Sequence, residues 1–179
     1  MYKTQSHVEQ RKMQKQYREM VNTRRLYKFE GEFFNWSPYR YMTTQLTKQT
    51  LVNIGKIIWN DEGNGFLIPE IRFGKGLYHG TAKGLKYYYS WCDRETIELA
   101  PTQRDIMTLI HEMVHAVGYS NHDTKFVGKY IELLTKYAGV PKKELIQGMI
   151  EYNVAVPRKY KRLYTQCKTT TRTSRRKKR

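Results

Sequence analysis

Cysteine is scarce in this sequence. The two residues, Cys92 and Cys167, stand far apart and form no C-x-x-C pair. They therefore build neither a disulfide framework nor a zinc ribbon, and they fit a reducing compartment. Long apolar runs are missing too. The longest are a few residues around Ile57-Ile58-Trp59, against the roughly 18 that a membrane-spanning helix needs. The opening residues Met1-Tyr2-Lys3-Thr4-Gln5 lead into Gln, Lys and Arg without the apolar core of a secretory signal, so a cytoplasmic protein is expected. No internal repeat is evident.

Acidic residues are absent from one end. Residues 158–179 hold 11 basic groups and no acidic one, residues 1–29 hold 8 and 2, and residues 30–157 hold 14 of each. The formal charge of +17 is thus terminal. A neutral core with two basic arms separates two tasks, because the arms can search for polyanions while the core does something else. The expected division is a partly helical basic segment over 1–42, a core over 43–156 and a basic, disordered tail over 157–179. Nucleic acid is the expected partner of the arms, each phosphate contact adding a salt-sensitive increment through counterion release. The hydrophobic share of 39% and the aromatic share of 13% are enough for the core to be packed.

Periodicity predicts an α+β fold, with a short antiparallel sheet packed on a central helix and the helices after it. Segment 5–28 reads as a basic helix whose apolar stripe, Val8, Met13, Tyr17, Met20 and Val21, is too thin for a core helix. Residues 43–60 carry Leu46, Leu51, Ile54, Ile57 and Ile58 at helical spacing, with Thr43 or Thr44 as N-cap. Residues 66–73 read as a strand with Pro69 at an edge or bulge, and Gly74 to Gly84 as a glycine-rich connection. Leu85 to Trp91 and Glu95 to Leu99 read as two strands joined at Cys92-Asp93-Arg94. Thr102-x-x-Asp105 is a capping pattern for a helix that ends near Gly118, apolar on most of its circumference. Further helices are expected over 123–138 and 141–152.

That capped helix carries H-E-x-x-H as His111, Glu112 and His115. Residues four apart differ by about 40° around a helix, so both imidazoles leave from one side and can share one ion. Glu112 lies beside them, placed to act as general base on a metal-activated water without being a ligand. A zinc ion, Zn2+, wants a third protein ligand. His122, seven residues after His115 and just past Gly118, is the first candidate, and Glu132 on the following helix is the rival. Tyr119 beside the site is a conceivable oxyanion donor, although a packing role suits it better.

The segment His111 to Leu134, HEMVHAVGYSNHDTKFVGKYIELL, resembles the active-site region of SprT-like and WLM-type metallopeptidases. In that family HExxH is followed by a third His opening an H-[GD]-x-x-F helix start, here His122-Asp123-Thr124-Lys125-Phe126. The resemblance covers about residues 66–138. It implies a small zincin-like domain, His111, His115 and His122 as metal ligands, Glu112 as base, a protein or peptide substrate, and the strand Glu95 to Leu99 as the edge along which a peptide is laid. It also implies action on proteins bound to DNA. The chain departs from the family in having a Lys/Arg tail where SprT-like proteins often carry a zinc ribbon, and in the His115 to His122 gap, which is short for SprT and one residue longer than in WLM-type enzymes. The competing expectation is a nucleic-acid-binding or particle-associated structural protein with a non-catalytic zinc site. A metal-dependent nuclease fits less well, since clustered carboxylates for paired metals are lacking.

Overall fold

The computed structural model describes residues 7–36, 38–63, 67–82 and 85–162; the terminal run 163–179, with Cys167, and the side chains of His7 and His79 lie outside that description. The elements in order are α1 (His7–Trp36), a 3-10 turn (Arg40–Thr43), α2 (Lys48–Glu62), β1 (Glu70–Arg72), β2 (Leu77–Ala82), β3 (Leu85–Tyr89), β4 (Trp91–Cys92), β5 (Thr96–Glu98), a 3-10 turn (Pro101–Gln103), α3 (Ile106–Ala116), α4 (Thr124–Ala138) and α5 (Lys142–Glu151). The class is α+β, as expected. No helix among the described residues is long and apolar enough to cross a membrane.

The HExxH pattern lies on α3, which has almost no polar face, and every residue from Thr108 to Val114 is buried. Its N-cap is Asp105, whose carboxylate accepts the Thr108 N–H at 2.8 Å. The expected cap at Thr102 is therefore displaced, because Pro101–Gln103 closes first into a 3-10 turn. Gly118, at φ 113°, releases the chain in a conformation that costs residues with a Cβ. Asp123 caps α4 by accepting the N–H groups of Lys125 and Phe126, and Gly139 ends it in the left-handed conformation, which glycine adopts without steric cost. The cap of α2 is Thr47 rather than Thr43 or Thr44, because Thr43 belongs to the preceding 3-10 turn.

The sheet behind α3 is mixed, in the order β1-β5-β4. β5 lies between a parallel β1 and an antiparallel β4. The glycine-rich stretch after Gly74 is more than a connection, since β2 pairs with β3 as a hairpin. The strand expected over 85–91 divides at Ser90. There side-chain bonds replace the ladder, the Ser90 N–H donating to Gln103 and Ser90 Oγ accepting from the Ala100 N–H.

Two expectations about the arms give way. α1 is a core helix in its second half, where Leu26, Phe29 and Phe34 are fully buried. Gly148 on α5 makes this possible: a Cβ there would meet the rings of Phe29 and Phe33 within 3.0 Å. The periodicity read over 5–28 stopped just as the apolar residues became dense, so the proposed boundary at 42/43 cuts through packed structure. At the other end residues 158–162 are helical, and Tyr160 is 2% exposed with its hydroxyl donating to Glu132. The segment counted as tail from Pro157 thus begins as part of the core.

Phe29→Ala is expected to destabilise the protein by about 3–5 kcal/mol, read from the midpoint of chemical unfolding. A change near zero would mean that α1 is not core.

Candidate metal centre

Three histidines meet at the exposed end of the α3–α4 pair. His111 and His115 leave α3 from one side, and the turn from Gly118 to Asp123 brings His122 back toward them. Nε2 of His122 lies 2.9 Å from Nε2 of His111 and 3.2 Å from Nε2 of His115. These three residues form the one group of potential ligand atoms among the described residues that could hold a metal ion. Glu132, the rival ligand, is elsewhere, accepting from Tyr160 and pairing with Lys159.

The outer nitrogens determine which protons are present. Nδ1 of His115 lies 2.7 Å from the Tyr119 carbonyl oxygen, which can only accept, so that nitrogen carries its proton. Nδ1 of His111 lies 2.8 Å from Oε1 of Glu30 and donates in the same sense. Nδ1 of His122 lies 3.3 Å from Thr23 Oγ1, whose own proton goes to the Glu19 carbonyl, so the ring again donates. In the neutral rings, the form that binds a metal, each Nε2 then points a lone pair at the others. Three lone pairs converging at this distance repel unless a cation lies between them, and zinc–nitrogen bonds of about 2.0–2.1 Å in tetrahedral array would set such nitrogens about 3.3 Å apart. The donor set therefore fits a metal ion, and the ring of outer hydrogen bonds is the support such ligands usually have.

Electrostatics point the same way. Burial and the neighbouring His111 push His115 down to about 4, and burial, His111 and His115 push His122 down to about 3, so both rings are neutral near pH 7. Burial opposes charge on His111 as well, but the Glu30 carboxylate outweighs it and holds the ring above its ordinary value. Phe126 forms an apolar floor, its ring centroid 5.0, 4.7 and 4.7 Å from those of His111, His115 and His122. That contact gives the Phe of the H-[GD]-x-x-F start a physical role.

Glu112 is 6% exposed, and burial pushes its carboxyl up to about 7, with Glu30 adding to the shift and His111 opposing it. It borders a cleft of about 420 Å³ together with His115, His122, Tyr27 and the chain from Ser90 to Arg94. The peptide-binding edge expected at Glu95 to Leu99 is corrected here. β5 is flanked on both sides, while β4 is the outer strand and lines the cleft with Trp91 and Cys92. Burial raises the Cys92 thiol to about 11, so it is not a thiolate.

The site also contains residues that sequence reasoning missed, all on α1. Glu30 backs His111, Thr23 backs His122, Asn22 donates to the His122 carbonyl, and the Tyr27 ring stacks on His111 at 5.6 Å. The available signal was a buried-type position occupied by Glu30 between Phe29 and Phe34. The Tyr119 side chain packs against the core, and its contribution to the site is its carbonyl. Compared with protein-family models, curated proteins and solved structures, the chain gives no significant match in any of the three.

The protein is expected to bind one divalent ion per chain. Glu30→Gln should weaken that binding about 10- to 100-fold, His122→Ala should weaken it further, and Glu132→Ala should leave it unchanged, all read by chelator competition.

Proposed function

We propose that the protein is a zinc-dependent metallopeptidase of the HExxH type, akin to the SprT-like and WLM-type enzymes that its His111 to Leu134 segment resembles. One observation carries the reading: the Nε2 atoms of three imidazoles converge, two of the rings bordering a cleft that a nearly buried carboxylate, Glu112, also lines. Three nitrogen ligands leave a fourth tetrahedral position for water or substrate, as hydrolytic zinc sites require. Bound there, zinc would polarise an amide carbonyl and make a water acidic near neutral pH.

The chain's own groups supply the rest. Glu112 accepts the proton of the attacking water and returns it to the leaving amine. A carboxyl raised toward neutral pH suits both directions of that transfer. β4, the outer strand, offers backbone N–H and C=O groups to an extended peptide, the mode by which sheet edges take up substrate segments. Glu30, Thr23 and the Tyr119 carbonyl hold the three rings in the tautomer that ligation needs.

The basic arms are assigned to nucleic acid, which would place substrate proteins near the cleft. Residues 9–18 of α1 are all exposed. Arg11, Lys15 and Arg18 follow at spacings of four and three, a cationic stripe along one face of the helix. The basic run after residue 162 lies outside the described residues.

Glu112→Gln is expected to retain the metal and lose peptide hydrolysis by at least about 100-fold; hydrolysis at the parent rate would refute the assigned mechanism. Removal of residues 163–179 should lower affinity for duplex DNA and flatten the slope of log K against log salt, leaving hydrolysis of a short free peptide unchanged. Unaltered DNA binding would count against the arm's assignment.

A further inference from the structure

Tyr27 stands in the cleft without a task in that mechanism. It precedes Glu30 by three positions on α1, so the helix face that brings Glu30 to His111 also lays the Tyr27 ring over the site. The ring stacks on His111, with centroids 5.6 Å apart and planes 20° from parallel, and meets His122 nearly edge-on at 5.5 Å. Tyr27 borders the same cleft as Glu112 and is 49% exposed. Tyr27 thus borders both the histidines and the space a substrate would fill.

We propose that Tyr27 is the oxyanion donor of this site, its O–H donating to the carbonyl oxygen of an amide substrate as water adds. The inference rests on the hydrolase reading above. As the bond forms between the water oxygen and the carbonyl carbon, the π pair of the carbonyl moves onto the oxygen facing Tyr27. The water's proton passes to Glu112. The C–N bond then breaks, the carbonyl reforms, and Glu112 delivers the proton to the amine nitrogen. Tyr27 keeps its own proton throughout, giving a hydrogen bond that strengthens as charge develops. Tyr119, a conceivable donor from sequence, has the packing role instead: its half-buried side chain lies against the core and is not among the residues that border the cleft.

The test uses the full-length zinc-loaded protein and a phosphinic peptide, whose tetrahedral anionic P–O group mimics the developing oxyanion. Tyr27→Phe keeps the stacked ring and removes only the donor. It is expected to weaken phosphinic peptide binding about 100-fold and to lower kcat by a similar factor, with KM and zinc affinity each within about twofold of the parent. Phosphinic peptide affinity equal to the parent's would overturn the role of Tyr27 while leaving the hydrolase reading intact. A fall in zinc affinity by the same factor would overturn it differently, making Tyr27 a support of the metal rather than a donor to substrate. A parent protein that neither binds the phosphinic peptide nor cleaves any peptide would overturn the hydrolase reading and the inference with it.

Discussion

The hydrogen bond between Glu30 and His111 is the constraint around which the site is arranged. It joins α1 to α3 across 81 positions of sequence, between side chains that are each about 5% exposed. A carboxylate buried this deeply is costly unless it is paired and hydrogen-bonded. Here the cost is offset by a ring that needs a fixed tautomer. The pair fixes which nitrogen of His111 faces the cleft, and that orientation is the reference for His115 and His122.

α3 can hold the candidate metal ligands rigidly because nearly all of it is interior. Its neighbours restrain it: the mixed sheet behind it, α4 through Phe126, and α1 through Tyr27 and Glu30. Some polar groups of this interior are paired side chain to backbone over long sequence distances. The Asn22 amide, for example, donates to the His122 carbonyl and accepts from the Ala155 N–H. Such a network positions ligands more firmly than apolar packing alone, because every bond has a direction.

Much of the site was legible in the sequence because its signals are local. HExxH needs only helical geometry, and the Asp123 cap and the glycines after α3 and α4 report backbone requirements that neighbouring residues reveal. His122 was reachable because a seven-residue gap with a glycine break returns the chain to its start. The contribution of α1 was hidden for the opposite reason. Its outer half is polar and dominates the periodicity, while Phe29 and Phe34 fall beyond the window and Leu26 stands at its edge, and no local pattern reports that Glu30 meets a histidine 81 positions away. The order of the sheet was hidden too. A parallel pairing of β1 with β5 is made across the intervening hairpin, so β5 reads as an edge in sequence and is central in space.

The division of α1 into an exposed outer half and a buried inner half has a thermodynamic consequence. One rigid rod carries both the solvent-facing cations and the groups that brace the histidines. An ion captured by the three rings therefore favours the docked rod by mass action, and whatever grips the outer half feels that preference in equal measure. Occupancy at one end and attachment at the other are a single linked equilibrium, with the helix as the shaft between them.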